Sequence, residues 1–183
     1  DLTTPVRLYA DPDRNLLALR SDVPVSPAAA LEFASCLSDW YADGEVTPIY
    51  LSGLGREREG GATPDLYGVG VGAGSDRLAA AGIDSPPESG LVSGPTGALL
   101  SHAVRTGRPA VGLIVESTPQ FPDAEAAAHL VESGIGPLLG LEVPVEELTD
   151  HAAEIRRAKR RLARQMQEAE ETSSQARPLG MYQ

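Results

Sequence analysis

Residues 109–115, Pro-Ala-Val-Gly-Leu-Ile-Val, form the stretch that decides the fold. The run is apolar without interruption, and turn residues bound it. A strand with one exposed face alternates apolar and polar residues, so an unbroken apolar run is typical of a strand buried on both faces. The sequence therefore predicts a strand inside a sheet that other elements cover on both sides.

The segments around this run alternate between strand and helix patterns. Leu66–Val71 is apolar and predicts a strand, and Gly94–Arg105 predicts a helix that Gly107 ends. After the run, Asp123 is placed to cap an alanine-rich helix. Strands that alternate with helices favour a parallel sheet with helices on both faces. We therefore expect an α/β fold, a three-layer α/β/α sandwich with a mostly parallel sheet.

The N-terminal part is predicted to add a hairpin, a helix and a further strand. Apolar runs at Val6–Tyr9 and Leu16–Leu19 flank turn residues, which indicates a hairpin or two adjacent strands. Ser26-Pro27 is typical of a helix start, because serine caps and proline fits the first helical position. Val46–Leu51 predicts a buried strand. The charged, glycine-rich segment 53–63 is expected to be a mobile or ligand-covering loop.

The C-terminal part is predicted to be a long amphipathic helix followed by a flexible tail. Apolar residues from Leu148 to Met166 recur on one stripe, which predicts a helix over residues 145–171. Its apolar stripe would pack either on the core or against a partner helix. Residues 172–183 show no periodicity and are expected to form a flexible tail. Residues 1–144 are then the α/β/α domain.

Composition excludes several classes of protein. The chain has 183 residues, 42% of them apolar, so it can form a core. Its formal net charge of −11 disfavours nucleic acid as a partner. The single cysteine, Cys36, excludes an internal disulfide and a cysteine-rich zinc site. No apolar run approaches the roughly 20 residues that cross a bilayer, so we expect a cytoplasmic protein with no membrane contact.

The cations are almost all arginine, and many are close together. Lys159 is the only lysine, and it lies in a basic stripe between Arg156 and Arg164. An acidic, lysine-poor chain is typical of a salt-rich, halophilic-type cytoplasm, and a GC-rich genome would give the same composition. The basic stripe is either a solvated helix face or a patch that binds acidic partners such as nucleic acid.

Two glycine-rich turns and one pair of carboxylates are the candidates for catalytic or nucleotide-binding chemistry. Gly68–Gly74 fits a loose dinucleotide fingerprint, and the alternative is a tight strand-to-helix turn. Ser93–Gly97 could offer backbone N–H groups to an anion, and the alternative is capping with close helix–sheet packing. Glu116 ends the buried strand near Asp123, so a paired-carboxylate site is conceivable, although capping already explains Asp123.

The remaining reactive side chains give no site. His102, His129 and His151 are scattered and lack metal-ligand spacing. Cys36 lies within a predicted amphipathic helix, so we expect it to be a buried structural thiol. We therefore expect neither a metal nor a cofactor.

The last three residues, Met181, Tyr182 and Gln183, form a second kind of candidate. An apolar residue and a tyrosine beside a free carboxylate, on a flexible tether, suit a peptide that docks in a pocket. The ring fills a slot, the hydroxyl finds a hydrogen bond, and the carboxylate pairs with a cation. The alternative is an ordinary frayed end.

Four segments of the chain carry a resemblance to a known family. They are Ser93–Leu100 (SGPTGALL), Val111–Thr118 (VGLIVEST), Phe121–Ala124 with Ala126 and Ala127, and Leu138–Val143 (LLGLEV) with Leu148, Ala152 and Ile155. In order and spacing they resemble the motif blocks of the proteasome assembly chaperone family of archaea and actinobacteria. The resemblance spans about residues 3–165, and Ser117 departs from the more common threonine.

The resemblance implies a phosphorylase-like α/β/α fold without that enzyme family's catalysis. Family members self-associate, and some dock a C-terminal hydrophobic-Tyr-any tail between α-ring subunits of the core proteasome, which assists assembly or opens the gate. Met181, Tyr182 and Gln183 match that tail position by position. Members also carry a strand, a glycine-rich turn and a helix upstream of the segment that begins at Leu2, so we expect that Asp1 is not the native start.

The resemblance leaves an enzyme as the alternative, because a carboxylate–amine ligase or nucleoside-processing label is sometimes attached to this family. Such an enzyme would use Gly68–Gly74 and Ser93–Gly97 for phosphate and Glu116 for chemistry. The absence of a nucleophile–base pair in the sequence speaks against it.

Overall fold

The computed structural model describes residues 4–58, 62–119, 122–150, 153–155, 157–158 and 161. Within that part of the chain it has a mixed α/β fold, which confirms the predicted class. The elements are β1 (Val6–Asp11), β2 (Leu16–Ser21), α1 (Ala30–Trp40), β3 (Ile49–Gly55), β4 (Leu66–Val71), α2 (Ala73–Ala80), α3 (Gly94–Thr106), β5 (Ala110–Ser117), α4 (Ala124–His129) and α5 (Gly136–Leu139). None of the helices within these described residues is long and apolar enough to cross a membrane.

The predicted buried strand is β5, the middle strand of a three-stranded sheet of order β3–β5–β4. Val111 N donates to Pro48 O at 2.9 Å and Arg56 N donates to Ser117 O at 3.0 Å, so β3 and β5 run in the same direction. Glu116 N donates to Asp65 O at 2.9 Å, which puts the start of β4 beside the end of β5. The described sheet is therefore mixed, and the predicted mostly parallel, phosphorylase-like sheet is not supported.

The chain divides into two compact units, and the first holds the core cluster of buried apolar residues. This unit comprises residues 1–52, 68–80 and 84–113. Its core joins α1 and α3 to the sheet through Ala34, Tyr50, Leu99, Ala103 and Ala110. Ala34 of α1 and Ala103 of α3 are small, so the two helices can approach closely.

The N-terminal hairpin of this unit is a separate two-stranded antiparallel sheet, as the sequence predicts. A 3₁₀ turn, Pro12–Arg14, connects its strands, and the Asp11 side chain accepts a hydrogen bond from Arg14 N at 3.2 Å. Asn15 adopts the left-handed conformation with φ of 48°. Asparagine tolerates that conformation better than most residues, so the turn sequence suits its backbone.

The second unit comprises residues 53–67, 81–83 and 114–183. Asp123 caps α4, as predicted, and accepts a hydrogen bond from Ala126 N at 3.1 Å. A π-helical segment, Leu130–Ile135, joins α4 to α5. Residues 146–150, 153–155, 157–158 and 161 are helical. The rest of the predicted helix over 145–171, and the tail over 172–183, lie outside the described residues, so a long C-terminal helix is not supported.

Several element boundaries differ from the sequence prediction. β3 begins at Ile49 instead of Val46 and continues to Gly55, because its backbone pairs with β5 regardless of the glycine content. α2 begins at Ala73, within the predicted Gly68–Gly74 turn.

Candidate functional site

The Gly68–Gly74 turn owes its glycines to close packing. A Cβ atom on Gly70 would lie 2.4 Å from Ser75 N, and one on Gly74 would lie 2.0 Å from Ala110 O. Gly72 has a φ of +56°, a backbone conformation that residues with a side chain rarely adopt. These contacts support a tight strand-to-helix turn with α2 pressed on β5, rather than a dinucleotide cradle.

The Ser93–Gly97 turn has a similar explanation. Gly94 has a φ of +66°, and a Cβ atom on Gly97 would lie 2.0 Å from Val92 O. The Ser93 side chain makes no capping hydrogen bond, while Thr96 Oγ1 donates to Leu51 O at 3.0 Å. Gly97 therefore packs closely on the segment before α3, Thr96 links α3 to β3 by a hydrogen bond, and capping by the Ser93 side chain is wrong.

Glu116, the candidate catalytic carboxylate, is buried and already paired. Its side chain is 6% exposed, and Oε1 accepts a hydrogen bond from Arg56 Nη1 at 2.6 Å. Oε2 lies 3.5 Å from Asp65 N, a weak contact. A carboxylate that is held by an arginine in this way is poorly placed to act as a general acid or base.

Asp123 does not join Glu116 in a paired-carboxylate site, because it has its own arginine. Arg58 Nη2 donates to Asp123 Oδ2, and the two side chains are only 9% and 10% exposed. Thr118 adds its backbone N–H at 2.9 Å and its hydroxyl at 3.1 Å. Burial alone would raise the pKa of Asp123, but the N–H donors of Thr118 and Ala126 and the Arg58 charge outweigh it and lower that pKa.

Arg56, Arg58, Glu116 and Asp123 together form a set of two ion pairs, here called the Arg–carboxylate cluster. It ties the segment after β3 to the end of β5 and the start of α4. The expectation of a mobile or ligand-covering loop at residues 53–63 is therefore wrong for the part up to Arg58. In the sequence these four residues are recognisable only as charged residues, because the two partners of each ion pair lie 60 and 65 positions apart in the chain.

The other candidate side chains are dispersed. Among the described residues no group of three histidine, cysteine or acidic side chains could hold a metal ion. His129 Nδ1 lies 3.2 Å from Ser133 Oγ, and His102 lies half-buried on α3. Cys36 is exposed, so the expectation of a buried thiol is wrong.

The C-terminal candidates are mostly beyond the described part of the chain. Arg157 and Arg161 of the basic stripe are exposed. The remaining residues lie outside the described residues, namely His151, Arg156, Lys159, Arg160, Arg164 and the tripeptide Met181, Tyr182 and Gln183.

Comparison with known proteins decides the family. A family model described as "PAC2 family" matches residues 1–163. The chain belongs to the PAC2 family. This membership confirms the resemblance to proteasome assembly chaperones and the expectation that the chain is not an enzyme. A comparison with curated protein sequences finds no match.

Solved structures agree with the PAC2 assignment. Pyrococcus furiosus PbaA, an archaeal homologue of proteasome-assembly chaperone, is 28% identical with a TM-score of 0.77, over 93% of this chain and 71% of its own. P. furiosus PbaB, an archaeal proteasome activator, is 22% identical with a TM-score of 0.71, over 86% and 70%. A proteasome-assembly chaperone homologue from Mycobacterium tuberculosis is 20% identical with a TM-score of 0.59, over 95% and 70%. The similarity of this chain to the last two structures supports a conclusion about the fold alone.

Proposed function

We propose that this PAC2 protein is a non-enzymatic interaction protein that acts on core proteasome particles. The single observation that carries the proposal is its PAC2 membership, supported by the 28% identity to PbaA. The geometry is compatible with it, because packing explains both glycine-rich turns and arginines hold both candidate carboxylates. The enzyme alternative loses the features on which it depended.

The proposed contact is the C-terminal tripeptide. Met181 and Tyr182 would enter a pocket between α-ring subunits, and the terminal carboxylate of Gln183 would pair with a cation there. One tripeptide offers little binding energy, so we propose a homo-oligomer in the cytoplasm whose several tails bind one ring together. This contact would assist assembly or open the gate.

The test is capture of purified α-rings by the full chain and by variants of its last residues. Tyr182→Ala is expected to lose binding, because the ring supplies most of the apolar contact. Gln183→Ala is the matched control, since the third position accepts any residue as long as the carboxylate follows it. Equal capture by both variants and by the unaltered chain would remove the tail from the proposal.

A loss of capture could also follow from a damaged domain, so each variant needs its own folding control. Circular dichroism and the thermal midpoint should be unchanged in both variants. If neither variant nor the unaltered chain captured α-rings or complete core particles, the proteasome assignment itself would fail.

A further inference from the structure

The turn that follows α1 presents the only tryptophan of the chain to solvent. Trp40 is the last residue of α1 and is 58% exposed. Val46, at the other end of the turn, is 42% exposed. Residues 39–46 are here called the Trp40 turn. A tryptophan carries a large apolar surface, and the face of its ring attracts cations. The turn therefore offers an open aromatic surface that can bind a positively charged group.

Three carboxylates lie beside this tryptophan along the chain. Asp39 precedes it, and Asp43 and Glu45 follow it within the Trp40 turn. All three are exposed. Within the part of the chain that the structure describes, none of the three forms an ion pair, and the arginines there that pair with carboxylates use other acidic residues. The Trp40 turn therefore carries negative charge that no ion pair compensates.

The end of α1 makes this charge unfavourable for the free protein. The carbonyl groups at a helix C-terminus carry partial negative charge, and basic side chains in the last turn ordinarily offset it. α1 has no basic residue in its last turn and has Asp39 there instead. Among the described residues, the one cation that is hydrogen-bonded at this end is Arg108, whose Nη1 donates to Ser38 O at 3.2 Å. One arginine against three carboxylates leaves a surface that gains from a further cation.

The Trp40 turn is anchored to the interior by tyrosine hydroxyls. The hydroxyl of Tyr41 lies 2.6 Å from that of Tyr50 and 3.2 Å from Ser38 Oγ. Ser38 and Tyr50 are both buried. In the backbone, Ala42 N donates to Asp39 O at 3.2 Å and closes the first bend after the helix. A surface that is held in this way loses little conformational entropy when a partner binds.

We propose that the Trp40 turn binds an arginine- or lysine-bearing segment of a partner protein. One cationic side chain would lie over the ring of Trp40 and cover it with its apolar stem. Further cations of the same segment would pair with the three carboxylates. A polypeptide supplies both the apolar contact and the spaced positive charges, whereas a metal ion would leave Trp40 and Val46 open. Nucleic acid has the wrong charge for a surface of this sign.

Titration of the full chain with a capped peptide that alternates arginine and serine tests this proposal. Because Trp40 is the only tryptophan, its fluorescence reports on this turn alone. We expect a saturable change in fluorescence, and no change with a matched peptide in which glutamine replaces every arginine. Raising the sodium chloride concentration from 0.05 to 0.5 M should weaken binding by about tenfold, because salt screens exposed charges.

Two double variants separate a local site from general attraction to an acidic protein, with affinity measured by calorimetry. Asp39→Asn with Asp43→Asn removes two negative charges from the Trp40 turn and should weaken binding by about tenfold. Glu32→Gln with Glu88→Gln removes two exposed charges elsewhere, so both double variants have the same net charge. The second should bind as the unaltered chain does. Equal losses in the two variants would overturn the proposal.

The tryptophan has its own matched control on the same helix. Trp40→Ala should weaken binding by about tenfold, whereas Leu31→Ala, at another exposed apolar residue of α1, should leave it unchanged. Circular dichroism checks that each variant folds, and the double variants keep the proposal testable if Trp40→Ala does not. A fluorescence change on concentrating the protein without peptide would place a second copy of the chain on this surface and would overturn the proposal. The measurement involves no proteasome and is independent of the proposed function.

Discussion

Replacement of Arg58 by methionine tests the claim that the Arg–carboxylate cluster holds the segment after β3. Arg58 and Asp123 are both about nine-tenths buried, so the loss of the arginine leaves a carboxylate without its counter-charge inside the protein. Breaking such a pair typically costs about 3–5 kcal/mol. Asp123 retains donors from Thr118 and Ala126, so we expect the lower end, about 3 kcal/mol.

The assay is thermal unfolding of the full chain, followed by circular dichroism. A loss of about 3 kcal/mol lowers the midpoint of a chain of this size by roughly 6–12 °C. Arg14→Met is the matched control, because Arg14 pairs with Asp11 at the surface, where the side chains are 59% and 35% exposed. That pair should contribute no more than about 1 kcal/mol.

A double variant separates the ion pair from other effects of the substitution. Arg58→Met combined with Asp123→Asn removes both charges, so it should be less destabilised than the sum of the two single variants. If Arg58→Met unfolded at the same temperature as Arg14→Met, or if the two changes were additive, the cluster would not be the element that holds this segment.

Three further outcomes follow. The pKa of Asp123 is lowered from the ordinary value of 3.8, so the charged carboxylate stabilises the fold fully well above that pH, and this stabilisation is lost as the pH falls through the lowered pKa. Asp123→Asn cannot ionise, so the urea midpoint of unfolding should depend less on pH between pH 5 and pH 2 in this variant. An unchanged pH dependence would contradict this. Gly74→Ala should cost about 3 kcal/mol or prevent folding, because its Cβ would lie 2.0 Å from Ala110 O, whereas Gly90→Ala, with nothing within 4 Å, should be neutral in the same thermal scan. Nucleotides and dinucleotides should leave the midpoint of thermal unfolding unchanged, and a concentration-dependent rise would restore the enzyme alternative.

Local patterns in the sequence were sufficient for most elements of the fold. The apolar run at residues 109–115 gave β5, the aspartate at position 123 gave the start of α4, and two short apolar runs gave the hairpin. Each of these depends on neighbours in the chain. Strand direction does not depend on neighbouring residues alone, because a long connection such as the one from β4 to β5 can bring the chain back in either direction. The mixed sheet was therefore not predictable.

The candidate site was less predictable, because its decisive contacts are distant in sequence. Gly74 was compatible with either phosphate binding or close packing, and only the position of Ala110 O, far along the chain, decides between them. The pairing of Arg58 with Asp123 spans 65 positions. Residues that the sequence leaves available for ligand binding or catalysis are therefore used in the structure for packing and ion pairing.

The use of the cations constrains how the protein can bind partners. Five of the eight arginines in residues 1–150 pair with carboxylates of the chain itself, and this part of the chain is strongly acidic. Electrostatic attraction then favours basic partner surfaces. The proposed pairing of the Gln183 carboxylate with a partner's cation fits that preference.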